Sequence, residues 1–148
     1  MVEGNHCSRA PVVVVDDTGA ILTGLPRRLP GKHYTVSSVV QEVRDRESRR
    51  ILEEALELGR LEILDPPREA LVEAERAARR TRVLSYLSRT DLEVLALALW
   101  LKRGCPLSRV LFATDDLRLA DAARHGGLEI VNIRYRSRRA RHRGPRRA

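Results

Sequence analysis

The chain has 148 residues, of which 43% are hydrophobic and 32% charged, and its formal net charge is +8. The length fits one domain, and because no apolar run reaches the roughly 18–20 residues of a membrane span and no signal-peptide core is present, we expect a cytoplasmic protein. Cys7 and Cys105 are too few and too far apart along the chain for a disulfide framework or a zinc knuckle, so we expect two reduced thiols.

The first predicted element is a strand over residues 12–15, VVVV, which follows Pro11 and ends at two adjacent carboxylates, Asp16 and Asp17. A continuous apolar run of this length is typical of a strand that is buried on both faces of a parallel sheet. A short helical or irregular segment, AILTGL, comes next, and the Pro and Gly residues of PRRLPGKH predict a loop.

Helices and short strands then alternate to about residue 133. A long helix is expected over about residues 38–58, with Ser38 and Gln41 spaced as a capping box and Gly59 as its stop. The remaining predicted elements are a strand at 61–64, helices at 68–80 and 91–103, a strand at 109–113, a helix at 116–125 and a strand at 128–133. This alternation predicts a three-layer α/β/α fold with a central, mostly parallel sheet.

Several acidic residues stand at the ends of predicted strands or near the starts of predicted helices, and strand ends are where open α/β sheets bind ligands. They are Asp16 and Asp17 after the first strand, Asp115 and Asp116 after strand 109–113, Glu42 in the long helix, and Asp91 at the start of helix 91–103. An acid in the first turn of a helix stabilises it by about 0.3–1 kcal/mol, so capping explains each acid taken singly.

Capping does not explain the acids taken together. Helix 91–103 is apolar on every side, which is typical of a buried helix. Asp91 therefore stands at the start of a helix that is expected to pack in the interior. Two unit charges about 4 Å apart repel each other by roughly 4 kcal/mol at an effective dielectric constant near 20. A divalent cation would remove this repulsion, and a set of oxygen ligands selects Mg²⁺ or Mn²⁺. Adjacent side chains diverge, so one acid of each neighbouring pair is the expected ligand, and the pattern does not say which.

Four segments resemble the acidic motifs of PIN-domain nucleases in order and spacing. They are DTGAIL (17–22), TVSSVVQEVRD (35–45), LSRTDLEVLALAL (87–99) and VLFATDDLRLADAARHGGLEIV (110–131). The second and third are most similar to the Nob-type branch, which consists of endonucleases that mature the 3′ end of small-subunit ribosomal RNA. The resemblance implies a PIN-like fold and hydrolysis of RNA phosphodiester bonds with Mg²⁺ or Mn²⁺ as cofactor.

The resemblance also implies roles for individual residues. The implied catalytic acids are Asp17, Glu42, Asp91 and Asp116. The implied metal ligands are Asp17, Asp91 and Asp116, with Asp115 assisting, and Thr18, Ser88 and Thr114 are implied as donors that orient carboxylates and water. Nob-type proteins usually carry a cysteine-rich zinc ribbon after the PIN domain, whereas this chain ends in an Arg-rich tail.

Basic residues are concentrated in that tail. Eight of the 28 Lys and Arg residues lie in residues 134–148, and all 20 acids lie before them, so the first 133 residues are formally neutral. We expect an N-terminal extension at 1–10, a nuclease domain at 11–133 and a disordered basic tail at 134–148. The expected contacts to the RNA backbone are Arg44 and Arg49 of the long helix and Arg134, Arg136, Arg138, Arg139, Arg141 and Arg143 of the tail.

Alternatives to rRNA maturation remain open. A VapC-like PIN toxin shares this chemistry and adds an antitoxin as partner, and an RNA-binding assembly factor could use a degenerate PIN fold without catalysis. A phosphoacceptor receiver domain is disfavoured, because it needs a Lys after a late strand and Lys32 and Lys102 are misplaced. If the protein matures rRNA, its expected partner is a small-subunit rRNA precursor or a pre-ribosomal particle. A homodimer is compatible with this role.

Overall fold

The computed structural model describes residues 10–133. Almost all of the predicted N-terminal extension and the whole of the predicted basic tail lie outside the described residues. The six tail arginines that were predicted to bind RNA lie outside them too; they are Arg134, Arg136, Arg138, Arg139, Arg141 and Arg143.

Five parallel strands form one sheet in the order β3-β2-β1-β4-β5. The strands are β1 (Val12–Asp16), β2 (Lys32–Thr35), β3 (Glu62–Ile63), β4 (Arg109–Thr114) and β5 (Glu129–Asn132). The predicted parallel sheet between helices is therefore confirmed. Strand β2 was not predicted, because the four residues KHYT have no apolar run or alternation, yet β2 pairs with the central strand in the register Val13↔Lys32.

Seven helices occur within residues 10–133. They are α1 (Thr18–Leu22), α2 (Leu25–Arg28), α3 (Ser37–Glu42), α4 (Arg46–Glu57), α5 (Arg68–Arg80), α6 (Arg89–Gly104) and α7 (Leu117–His125), and a 3₁₀ turn (Leu84–Tyr86) precedes α6. Among these described helices, none is both long and apolar enough to cross a membrane.

The valines of β1 are buried because helices cover both faces of the sheet. Val13 and Val15 belong to the larger core with Leu95 and Leu97 of α6, and Val14 belongs to a smaller core on the other face with Ala20. All three valines are fully buried. The strand is thus fixed from both sides, and the residues that follow it are held at a defined edge.

The prediction of a single long helix at 38–58 is wrong, since α3 and α4 are separate helices. Asp45 begins α4 by accepting a hydrogen bond from the Ser48 N–H at 3.0 Å, and Val43 is buried in the break. The expected capping box does not form, because the Ser38 hydroxyl instead donates to Glu93 Oε1 at 2.6 Å.

The prediction of reduced thiols is wrong for Cys105, which is buried directly after α6 and is disulfide-bonded. Distance along the chain carries no information about distance in the fold, so the spacing of the cysteines could not exclude a bond.

Candidate active site

The predicted acidic segments gather at one edge of the sheet, where the carboxyl ends of β1, β2 and β4 lie. Asp17 directly follows β1, and Asp116 lies two residues beyond β4, the neighbouring strand. Helix α6 leads back into β4 and packs on the sheet, so its first turn, which contains Asp91, starts at the same edge. Helix α3 begins there as well, two residues after β2.

Asp16 faces the interior, which settles which of the two acids after β1 reaches the edge. Its Oδ2 lies 2.6 Å from His33 Nδ1, and His33 Nε2 lies 2.8 Å from the carbonyl oxygen of Leu29. A carbonyl oxygen can only accept, so Nε2 carries a proton, and a second proton lies between Asp16 and His33. Asp16 Oδ1 is buried without a partner among residues 10–133. Burial raises the pKa of Asp16, against the lowering effect of its contact with His33.

Asp17 caps helix α1 at the edge of the sheet. Its Oδ1 accepts a hydrogen bond from the Ala20 N–H at 2.8 Å, and its side chain also hydrogen-bonds with Thr114. Burial raises the pKa of Asp17 to about 7, against the lowering effect of these hydrogen bonds, and the charges of Asp115 and Asp16 raise it further. A nearly buried carboxyl with a pKa at neutrality is a common feature of functional sites.

Asp115 approaches Asp17 across the backbone of α1. A Cβ placed on Gly19 would lie 3.1 Å from Asp115 Oδ1 and 3.4 Å from its Oδ2. The absence of a side chain at Gly19 therefore allows the Asp115 carboxylate to lie against the first turn of α1. Asp115 is exposed, and its charge contributes to the raised pKa of Asp17.

Thr114 links the ends of β1 and β4. Its hydroxyl accepts a hydrogen bond from the Asp116 N–H at 3.0 Å and also hydrogen-bonds with Asp17. Asp116 in turn caps α7, because its Oδ1 accepts from the N–H groups of Arg118 at 2.9 Å and Leu119 at 3.3 Å. Thr114 thus orients the carboxyl of Asp17 directly, whereas it holds Asp116 by the backbone and not by the carboxylate.

Ser88 and Asp91 form a reciprocal capping box at the start of α6. The Ser88 hydroxyl accepts from the Asp91 N–H at 3.0 Å, and Asp91 Oδ2 accepts from the Ser88 N–H at 2.9 Å. The predicted orienting role of Ser88 thus has a geometric basis. By contrast, the Thr18 side chain forms no hydrogen bond within the part of the chain that the structure describes, so its predicted role has no such support.

Glu42 reaches the start of α6 through Thr90. Its Oε2 accepts a hydrogen bond from the Thr90 hydroxyl at 2.5 Å, and Thr90 is buried next to Asp91. Glu93, one turn further along α6, accepts from Ser38 at 2.6 Å and pairs with Arg89 at 3.1 Å. The sequence reasoning missed Thr90 and Glu93 as the contacts that fix α3 to α6. The only signal of these two residues in the sequence was their own spacing, because Thr90 and Glu93 are three residues apart, as in a capping box.

The two described arginines predicted to bind RNA differ in their surroundings. Arg44 is exposed in the break between α3 and α4 and forms no ion pair within residues 10–133. Arg49 donates to the carbonyl oxygens of Val40 at 2.7 Å and Val43 at 3.1 Å and pairs with Glu53 at 3.0 Å. Its guanidinium group therefore has a structural role at the C-terminus of α3, and its contact with RNA stays a prediction.

The acids of this edge fit a hard divalent cation by donor type, since all of them offer oxygen. No group of three or more His, Cys, Asp or Glu side chains within residues 10–133 is arranged to hold a metal ion. Asp17, Asp91 and Asp116 each accept a backbone hydrogen bond at a helix start, so their orientation is set by capping in this structure.

A parallel α/β domain with acidic residues from four segments at one sheet edge is the arrangement expected of the PIN class of nucleases. The family model described as the PIN domain of ribonuclease matches residues 13–101, which include Asp17, Glu42 and Asp91. The chain belongs to the PIN-domain ribonuclease family, whose members generally use divalent metal ions.

Curated relatives carry two kinds of name. Ribonuclease VapC3 of Aeropyrum pernix is 50% identical over 124 residues, which cover 83% of this chain and 87% of that protein. Endoribonuclease Nob1 of Pyrococcus abyssi is 40% identical over 101 residues, covering 68% of this chain and 58% of that protein. Endoribonuclease Nob1 of Methanocaldococcus jannaschii is 35% identical over 125 residues, covering 83% and 57%. The chain thus spans little more than half the length of these two Nob1 relatives.

Proposed function

We propose that this PIN-domain ribonuclease is an endoribonuclease that depends on Mg²⁺ or Mn²⁺. The observation that carries the proposal is the contact of Thr114, at the end of β4, with the carboxyl of Asp17 and with the backbone N–H of Asp116, which joins the acidic ends of two neighbouring strands. A nearly buried carboxyl with a pKa of about 7 is common in catalytic and metal sites, which supports the proposal.

In this proposal Asp17, Asp91 and Asp116 would hold the metal, and Asp115 would assist. A divalent ion bound there would supply a water of lowered pKa and would neutralise charge on the leaving oxygen. Thr114 fixes the carboxyl of Asp17 and the Ser88 N–H fixes that of Asp91, which favours one orientation of these two ligands. Glu42, held at the edge by Thr90, is the carboxylate that accepts the proton of the attacking water.

The test is cleavage of a short single-stranded RNA in Mg²⁺, in Mn²⁺ and in chelator. We expect cleavage only with a divalent ion, and we expect Asp17→Asn to lower it to the level seen in chelator. Asp121→Asn is the matched control, because Asp121 is exposed and pairs only with Arg124 among residues 10–133. Full activity of Asp17→Asn, or equal activity in chelator, would refute the proposal.

For the cellular role we propose maturation of small-subunit rRNA, with the rRNA precursor or a pre-ribosomal particle as partner. The Nob1 names of the relatives at 40% and 35% identity support this role. We propose a toxin-type ribonuclease with an antitoxin partner as the second candidate, because the VapC3 relative matches over 87% of its length at 50% identity.

Mapping of the cut positions separates these roles. A single cut at the mature 3′ end of the small-subunit precursor supports the first role, whereas cuts in mature RNAs, together with growth arrest on induction, support the second. RNA binding without cleavage in either ion would instead indicate an assembly factor. Sedimentation velocity on the same preparation tests the homodimer that we also propose.

A further inference from the structure

Tyr86 differs from the other aromatic residues of the described chain. Tyr34 and Phe112 are almost fully buried, and Trp100 packs against the larger core. Tyr86 belongs to neither core and is half-buried on the 3₁₀ turn that precedes α6. The Tyr86 ring is therefore partly exposed at the surface of the domain.

The Tyr86 ring stacks with a guanidinium group at the edge that carries the acids. The Arg118 Cζ lies 3.9 Å from the ring centroid, well within the roughly 6 Å of a cation–π contact. Arg118 donates its backbone N–H to Asp116, and Tyr86 lies two residues before Ser88, which caps Asp91. The stacked pair therefore lies beside the two helix starts that carry Asp91 and Asp116.

The surface next to this pair has the chemistry of a nucleobase site. Single-stranded RNA is recognised by stacking of bases on aromatic rings and on guanidinium planes. Leu117, between Asp116 and Arg118, is 77% exposed and adds apolar surface at the same place. The Arg118 charge also favours a phosphate group close by. The Arg118 side chain is not needed for the cap on α7, which uses its backbone N–H.

We propose that Tyr86 and Arg118 form a stacking platform for one nucleobase of the RNA next to the cleaved bond. The proposal rests on the proposed ribonuclease function and names a substrate contact of that site. The platform fixes the strand beside the carboxylates without reading the identity of the base, since every base has a stacking face.

The experiment uses single-stranded RNAs in which one nucleotide at a time is abasic. With the wild-type protein we expect one position near the cut at which the missing base lowers kcat/KM on the order of tenfold. In Tyr86→Leu this loss disappears, because the ring is already absent, whereas Tyr86→Phe retains it. Equal losses in the wild-type protein and in Tyr86→Leu at every position would overturn the proposal.

A fluorescence measurement separates this proposal from the nuclease proposal. RNA with 2-aminopurine at the successive positions is bound in chelator, and stacking on Tyr86 is expected to quench its emission in the wild-type protein but not in Tyr86→Leu. If no RNA is cleaved with either divalent ion, the nuclease proposal fails. The quenching measurement then tests the stacking platform by itself, because it needs binding and not cleavage. If Tyr86→Leu does not fold, Arg118→Met replaces it and is expected to reduce the quenching; unchanged quenching refutes the platform.

Discussion

The carboxyl of Asp17 links burial to metal binding at the scale of a single residue. Its pKa of about 7 means that the metal-free protein holds a proton there at pH values where a solvated Asp, with a pKa of 3.8, has lost it. If Asp17 holds a metal ion as proposed, the ion binds the carboxylate form, so this proton has to leave on binding. Below pH 7 the proton therefore competes with the metal, and above pH 7 the competition ends.

We predict that the affinity for Mn²⁺ falls by about tenfold for each pH unit below 7, the slope for one displaced proton. Titration calorimetry in buffers with different ionisation enthalpies measures both the affinity and the proton release. Asp17→Asn should bind more weakly and lose the release of that proton. Affinity that stays constant between pH 5.5 and 7 would show that the Asp17 proton is not displaced.

Gly19 gives a second prediction about one residue. In Gly19→Ala the new Cβ would lie 3.1 Å from Asp115 Oδ1, so the Asp115 carboxylate has to shift from its position against α1. Alanine is up to about 1 kcal/mol more favourable than glycine in a helix, so stability should not fall. We expect metal affinity to drop by about tenfold with an unchanged or higher Tm.

The matched control for Gly19→Ala is Gly104→Ala at the end of α6. A Cβ at Gly104 would meet no neighbouring atom within 4 Å, so it tests the change of residue without the displaced carboxylate. Full metal affinity of Gly19→Ala would show that the position of Asp115 is irrelevant to metal binding.

Helices α3 and α6 are coupled at the scale of elements by the hydrogen bond from Thr90 to Glu42. Thr90→Val removes the donor while keeping the shape of the side chain, and exposed Glu42 then remains hydrated. We predict a loss of cleavage of about 10–100-fold, because Glu42 is no longer held at the edge. The unfolding free energy, measured with urea, should fall by only about 1 kcal/mol.

Thr81→Val is the control for this prediction. The Thr81 hydroxyl donates to the Ala77 carbonyl oxygen at the end of α5. Thr81→Val therefore loses a hydrogen bond that is not in contact with the site. If both variants lose cleavage equally, the effect is one of stability, and Glu42 does not depend on Thr90.

Elements with a strong periodic or apolar signal could be predicted, and elements fixed by single distant contacts could not. Strand β1, with its run of valines, and helix α6, which is apolar on every side, could be predicted, because an element that is buried on all sides needs apolar residues throughout. The break between α3 and α4 depends on buried Val43 and on the Arg49 hydrogen bonds to α3 carbonyl oxygens, which the sequence pattern does not show.

In the candidate site, too, some features could be predicted from the sequence and others depend on single distant contacts. The sheet-end rule placed Asp17 and Asp116 at one edge, because their strands are parallel neighbours. The residue pattern alone did not choose between Asp16 and Asp17, and only the resemblance to PIN-domain nucleases implied Asp17. The contact that holds Asp16 in the interior comes from His33 on β2, a strand that the sequence did not reveal. Which oxygen atoms cap a helix and which face the edge is likewise decided by contacts between segments far apart in the chain.

The whole molecule divides its charge between a formally neutral body and the basic segment 134–148, which lies outside the described residues. If its eight arginines each neutralise one phosphate, the logarithm of the RNA-binding constant falls with the logarithm of salt concentration at a slope of about 0.7 per phosphate. Deletion of residues 134–148 should therefore flatten the slope by up to about 5 to 6.

The measurement is a salt titration of RNA binding in the Asp17→Asn background, which keeps the RNA intact. A variant with all eight tail arginines replaced by Lys is the matched control, because it keeps the charge and loses only bidentate hydrogen bonding. Its slope should equal that of the parent protein, since counterion release depends on charge. If deletion leaves the slope unchanged, the RNA backbone is held by the body instead, where Arg44, Arg49 and Arg118 are the arginines expected to contact RNA.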